Sequence, residues 1–94
     1  MRDGGNNMKM SRESYDLIAE VFAQHKEVIK HHRHRLRERA LVSDNIGNLE
    51  VRLAFDAYHG LLSLDERRYI RESDDLKDAH IQTALLKVMR EYEI

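Results

Sequence analysis

The sequence predicts an all-α protein, a small bundle of three to four helices. The chain contains no Pro and only 4 Gly, so it lacks the residues that usually form the turns of hairpins and sandwiches. Its apolar residues recur at helical spacing, and no strand-like alternation competes with that period. With 94 residues there is room for one domain, which we place at residues 11–94. Residues 1–10 include Gly4, Gly5, Asn6 and Asn7 and are predicted to be a flexible lead-in.

The first helix is predicted over residues 11–42. The Ser11 hydroxyl is suited to accept a hydrogen bond from an early backbone N–H, as an N-cap does. About thirty helical residues span about 45 Å, which is long for so small a chain. In a heptad register, one position holds Tyr15, Phe22, Ile29 and Leu36, and the other holds Ile18, His25, His32 and Arg39. Either the cationic end overhangs the bundle, or it meets a partner such as a second copy.

Three further helices are predicted at residues 48–60, 64–72 and 74–92. The loop at 43–48 carries turn-forming residues, and Asn48 is the expected cap of the second helix. That helix has an apolar stripe of Val51, Ala54, Phe55, Tyr58 and Leu62, widened by Leu49 and Leu53. Gly60 suits the left-handed position after its end. Ser63 and Glu66 predict a capping box, and we favour a kink or short break near Ser73 over one continuous last helix.

Charge is unevenly distributed along the chain. Residues 1–42 hold nine Lys/Arg and six Asp/Glu, whereas residues 43–94 hold seven and eleven, which together give the net charge of −1. The most basic segment runs from Lys30 to Arg39 and carries five Lys/Arg, one Glu and three His. Four interpretations compete: a solvated helix end that complements the helix dipole or the acidic half, a phosphate-binding helix, a metal site, and a contact with an anionic protein at the same surface. For metal, His31 and His34 share a face, but His32 points away from it.

Catalytic motifs are missing. No Cys is present, which excludes disulfides, thiolate catalysis, zinc ribbons and iron–sulfur clusters. The sequence contains no G-x-S-x-G and no glycine-rich phosphate loop. The five Ser residues fit helix caps or loops, and the acids around Asp74 fit a helix start better than a divalent-ion site. We therefore expect no enzymatic activity and no cofactor.

Two segments resemble a known group of proteins. The residues from Met10 to Ala19, MSRESYDLIA, are similar to the opening of small accessory proteins of tailed bacteriophages. The residues from Leu64 to Ile70, LDERRYI, resemble a later helix of the same proteins. Together they cover about a quarter of the chain, and the basic segment departs from the pattern. The resemblance implies a phage or prophage protein that acts by binding, often to a host factor.

The sequence therefore favours a non-enzymatic interaction protein that binds a protein partner or itself through the basic half of the first helix. A homodimer is expected, located in the cytoplasm, or in the host cytoplasm for a phage protein. The alternative is a DNA- or RNA-binding accessory protein that uses the same helix. The candidate binding residues are Lys30, His32, Arg33, Arg35, Leu36, Arg37 and Arg39.

Overall fold

A computed structural model describes residues 10–43 and 49–94. Within them the fold is all-helical, as predicted, but it has five helices rather than three or four. These are α1 (Arg12–Gln24), α2 (Lys26–Ser43), α3 (Leu49–Leu61), α4 (Leu64–Ser73) and α5 (Asp78–Glu91). None of these helices is long and apolar enough to cross a membrane. The predicted lead-in at 1–9 and the predicted loop residues 44–48, including the Asn48 cap, lie outside the described residues.

The core lies where α1, α3 and α5 meet. Helix α5 packs against both α1 and α3, and α2 packs against α3. The largest fully buried apolar side chains are Ile18, Phe22, Ile29, Leu53, Tyr58, Ile70, Leu85 and Val88. Helix α4 contributes one of them, Ile70, so it is the least embedded of the five.

The predicted first helix is divided in two at His25. The backbone of His25 leaves helical geometry, with φ −115° and ψ 30°. Its N–H still donates to the carbonyls of Val21 and Phe22, and its own carbonyl accepts from Ile29. No loop separates the two helices, and His25 alone lies between them. Phe22 and Ile29 are both buried on either side of the break, and α2 packs against α3.

Helix α3 differs from its prediction in its buried face and in its end. Gly60 was expected in the left-handed region, but no described glycine has a positive φ, and α3 continues to Leu61. Val51 and Phe55 are 40% and 45% exposed, whereas Ala57 is buried. The buried face is displaced because α3 packs against α2 and α5 at once, so its apolar contacts span two neighbours.

The predicted break near Ser73 is confirmed. Helix α4 ends at Ser73, and Asp74 is its C-cap in an extended conformation. Helix α5 begins at Asp78 rather than at residue 74, and its N-cap, Lys77, makes no side-chain capping bond. The carboxylate of Asp74 accepts hydrogen bonds from the N–H and the hydroxyl of Ser11, so Asp74 is held at the start of α1 rather than in α5.

Two of the three predicted N-caps, Ser11 and Ser63, form; the third, Asn48, lies outside the described residues. The Ser11 hydroxyl accepts from the N–H of Ser14 at 3.1 Å. The capping box of α4 is complete, because the Ser63 N–H donates to Glu66 at 2.7 Å and the Glu66 N–H donates back to the Ser63 hydroxyl at 3.1 Å. These caps satisfy backbone donors that have no partner within a helix.

Candidate interaction surface

Helix α2 carries the seven predicted binding residues, and the structure places them in three environments. Leu36 lies in the core at 8% exposure and is therefore not part of the exposed surface. His32 and Arg33 are half-buried. The other four, Lys30, Arg35, Arg37 and Arg39, are exposed. Because Ile29 and Leu36 are both buried, α2 is packed against the bundle at least as far as Leu36 and does not overhang it there.

His32 connects α2 to α3. Its Nε2 lies 3.0 Å from Oδ2 of Asp56, and the two side chains are 36% and 27% exposed. The same carboxylate oxygen lies 3.4 Å from Nε of Arg52. His32 therefore links α2 to α3. Because this contact covers part of the imidazole, a smaller part of the side chain is exposed to a binding partner.

Arg33 lies beside the last described residue of the chain. Its Nη1 donates to the carbonyl oxygen of Ile94 at 3.1 Å, whereas its Nε is buried without a hydrogen-bond partner. The guanidinium thus holds the residues after α5 against α2. A buried N–H without a partner costs free energy, so this side chain is positioned rather than freely solvated.

One flank of α2 forms a cleft that we call the basic cleft. It encloses about 420 Å³ and is lined by Glu27, Lys30, His31, Arg33, His34, Arg37 and Ile94. Three permanent cations and two imidazoles thus surround a single Glu side chain. His34 lies 3.8 Å from Glu38 at the outer edge. The residues share a flank because positions three, four and seven apart on a helix lie above one another.

Three exposed cations of α2 have no acidic partner among the described residues. Within residues 10–43 and 49–94, Lys30, Arg35 and Arg37 make no ion pair or hydrogen bond. Arg39 does take part in an interaction. The interpretation in which the acidic half neutralises the basic segment therefore does not apply to Lys30, Arg35 or Arg37, whose charges remain available to an anionic group from outside.

A second depression lies on the other flank, and we call it the α2–α3 groove. It has a volume of about 200 Å³ and is lined by Val28, Ile29, His32, Leu53, Asp56, Ala57, Gly60 and Leu61. Its walls are mostly apolar, apart from the His32–Asp56 pair. Val28 at its edge is 54% exposed.

Sequence reasoning treated the basic segment as one surface and missed its division into two flanks. His31 and His34 were considered only as metal ligands, and Glu27 was not considered at all. A helical projection from Glu27 would have placed Lys30, His31, His34 and Arg37 together. The sequence gives no indication that Ile94 lines the basic cleft, because its position depends on how the residues after α5 pack against α2.

Two further observations on polar groups concern metal binding and a nucleophile–base pair. Among the described residues, no three His, Asp or Glu side chains lie where they could share a metal ion. Ser14 and His80 are both buried, at 0% and 5% exposure, yet Oγ of Ser14 and Nδ1 of His80 each lack a hydrogen-bond partner. They are therefore not coupled as a nucleophile and base would be.

No protein-family model, curated protein or solved structure matches this chain. Its function must be argued from its own residues.

Proposed function

We propose that this chain is a small non-enzymatic interaction protein that binds an acidic protein partner through the basic cleft and the neighbouring cations of α2. The basic cleft carries the proposal, because it concentrates Lys30, Arg33 and Arg37 around a concave surface with one acid. The resemblance of its first helix to phage accessory proteins supports a host factor as partner and the host cytoplasm as the location.

The charges of this surface favour a partner other than an identical copy. In a symmetric dimer each surface meets its own equivalent. Two basic clefts would then face each other, and like charges across an interface oppose association. A homodimer therefore needs a different face, whereas an acidic partner gains from the exposed charges of Lys30, Arg35 and Arg37. Such charges mainly raise the association rate and specificity, since an exposed ion pair contributes at most about 1 kcal/mol.

Nucleic acid is the second candidate, favoured by the same flank. Lys30, Arg33 and Arg37 are spaced along one side of α2, where they could follow successive phosphates. Helix α2 contains no Phe, Tyr or Trp, however, and non-specific single-strand binding relies on such side chains for base stacking. We therefore rank nucleic acid second.

Labelled polyglutamate and labelled DNA of matched charge separate the two candidates. We expect the chain to bind polyglutamate more tightly than single- or double-stranded DNA in fluorescence anisotropy at moderate salt. The double variant Lys30→Ala/Arg37→Ala should weaken polyglutamate binding about tenfold, equivalent to about 1.4 kcal/mol.

The matched control is Arg68→Ala/Arg90→Ala, which removes the same net charge from exposed positions on α4 and α5. An equal loss in both double variants would mean that binding follows net charge alone and would contradict the proposal. Tighter binding to DNA, with an affinity that falls steeply with salt, would favour the nucleic-acid function instead.

A further inference from the structure

We infer that the basic cleft receives a phosphorylated serine or threonine side chain of the partner. The inference rests on the proposed function, because it takes the acidic protein partner from there and names the group by which that partner is recognised. The cleft encloses about 420 Å³, within the size range of sites that hold small molecules. It therefore has room for one such side chain and for the backbone beside it.

The side chains that line the basic cleft carry two positive charges in excess at neutral pH. Lys30, Arg33 and Arg37 are permanent cations, and Glu27 is the only acidic side chain among the lining residues. A phosphorylated serine carries a charge of about −1.5 to −2 at pH 7, whereas a carboxylate carries a single negative charge. One phosphate group therefore neutralises most of the excess, and one carboxylate neutralises half of it.

The three cations are close enough along α2 to bind one group. Lys30, Arg33 and Arg37 lie three and four positions apart in the lining of the cleft, so they span about 10 Å along the helix axis. Phosphorylated motifs are recognised by clusters of basic side chains, and Arg is favoured because its guanidinium donates two parallel hydrogen bonds. Among the described residues, Lys30 and Arg37 make no ion pair or hydrogen bond, so no internal acid has to be displaced from them.

Arg33, between the other two cations, is held in place before a ligand binds. Its Nη1 donates to the carbonyl oxygen of Ile94 at 3.1 Å, and its Nε is buried. A guanidinium has five N–H donors, and the bond to Ile94 uses one of them, so the terminal nitrogens still have donors for a phosphate oxygen. Because the side chain is already ordered, binding costs less conformational entropy than it would with a freely rotating arginine.

His31 and His34 add hydrogen-bond donors to the lining. Both side chains are exposed, and both line the cleft. An imidazole has at least one N–H whether it is neutral or protonated, so each can donate to a phosphate oxygen at neutral pH. A phosphate monoester presents three strong acceptor oxygens, compared with two on a carboxylate. It can therefore use more of the donors that the cleft provides.

Phosphorylated and unphosphorylated peptides test the inference directly. The probe is a fluorescein-labelled alanine–glycine peptide with one phosphoserine at its centre. One comparison peptide has serine at that position, and another has two neighbouring glutamates, which match the charge of the phosphate group. We expect the phosphopeptide to bind about tenfold more tightly than the diglutamate peptide in fluorescence anisotropy, equivalent to about 1.4 kcal/mol, because its charge lies on one group. The serine peptide should bind more weakly than both.

Substitutions on the two flanks of α2 locate the binding. Arg37→Ala removes a cation from the cleft and should remove most of the preference for phosphoserine. The matched control, Arg35→Ala, removes the same charge from an exposed position outside the cleft lining and should retain the preference. Arg33→Lys keeps the charge but removes the planar guanidinium, so it should also reduce the preference. Arg37 is exposed, so its test does not depend on whether Arg33→Lys folds.

Three results would overturn the inference. The first is equal binding of the phosphoserine and diglutamate peptides to the unaltered chain, and the second is a preference that survives both Arg37→Ala and Arg33→Lys. The third is displacement of the phosphopeptide by inorganic phosphate as effectively as by the same peptide without its label, which would assign the cleft to a free anion. In each case polyglutamate binding that still depends on Lys30 and Arg37 would leave the proposed function standing. Loss of that dependence, by contrast, would contradict the proposed function whatever the peptides show.

Discussion

Tyr58 illustrates how a single residue combines apolar burial with an unsatisfied polar group. Its side chain is among the largest in the core, at 1% exposure, and its hydroxyl has no hydrogen-bond partner. Burial raises the pKa of Tyr58 above its usual value of 10.0, although the positive charges of Arg71 and Arg67 partly oppose the increase. Burial therefore favours the neutral form of the hydroxyl, and no hydrogen bond offsets the cost of removing it from water.

We expect Tyr58→Phe to change the free energy of unfolding little at neutral pH. At alkaline pH the variant should be more stable than the unaltered chain. Removing an unpartnered hydroxyl should alter the free energy of unfolding by no more than about 0.5 kcal/mol at pH 7. Because the pKa is raised in the folded state, the unfolded tyrosine ionises first, so folding loses stability as the pH rises above about 10. The Phe variant should lose less over that range, as measured by urea denaturation at a series of pH values.

The control for this substitution is Tyr69→Phe, at a position that is 53% exposed. It should follow the unaltered chain at every pH, because most of its hydroxyl environment is solvent. A loss of more than about 1 kcal/mol in Tyr58→Phe at neutral pH would show that the hydroxyl has a partner that stabilises the fold.

The residues that sequence analysis identified correctly are those whose role is local. Ser11, Ser63 and Glu66 cap helices through atoms three residues away, so nearby sequence contains the whole signal. Gly60 and Leu36 were placed in roles that the structure does not support. Gly60 is helical because α3 continues to Leu61. Leu36 is buried in the core that the helices form together, and its burial depends on segments distant in the sequence.

At the scale of the elements, the carboxylate of Asp74 links the connection between α4 and α5 to the start of α1 by hydrogen bonds. Asp74 accepts from both the backbone and the side chain of Ser11, although 63 residues separate the two in sequence. This contact ends α4 and fixes the point at which the chain approaches α5. It also positions the Ser11 hydroxyl, which in turn caps α1.

We expect Asp74→Ala to destabilise the fold by about 1.5 kcal/mol, since hydrogen bonds to a charged group contribute about that much and the site is partly buried. Urea denaturation at neutral pH measures the change. Asp75→Ala is the matched control, because it removes the same charge from the exposed neighbouring residue and should alter stability by less than about 0.5 kcal/mol. Equal losses would show that charge in this segment matters and that the Ser11 contact does not.

The helix break that the sequence did not predict has the largest effect on the candidate surface. His25 is neither Pro nor Gly, and the apolar residues on either side keep a nearly continuous helical period, so no local signal marks the break. The tertiary gain is the burial of Ile29 and Leu36 against the rest of the bundle. Helix α2 packs against α3, with the α2–α3 groove on one flank and the basic cleft on the other. The basic segment itself was predictable from composition, but its two flanks were not.

For the molecule as a whole, the distribution of buried side chains is uneven. Helices α1, α3 and α5 each bury four or more residues, whereas α4 buries Ile70 alone. The most extensive helix pairs all involve the other four helices. Leu64 and Tyr69 on α4 are 69% and 53% exposed. Stability should therefore differ between α4 and the remainder of the bundle.

We expect native-state hydrogen exchange to show that the amides of α4 open at a lower free energy than those of α3 and α5. Ile70→Ala should lower the opening free energy of α4 by about 2 kcal/mol, the cost of removing a buried apolar side chain, and should leave exchange in α3 and α5 nearly unchanged. Leu85→Ala, at a fully buried position of α5, is the comparison, because it should accelerate exchange in α1, α3 and α5 together. If Ile70→Ala accelerated exchange equally in every helix, α4 would be part of one cooperative unit with the core. The basic cleft is lined by residues of α2 and by Ile94, so a separate opening of α4 should also leave polyglutamate binding unchanged in Ile70→Ala.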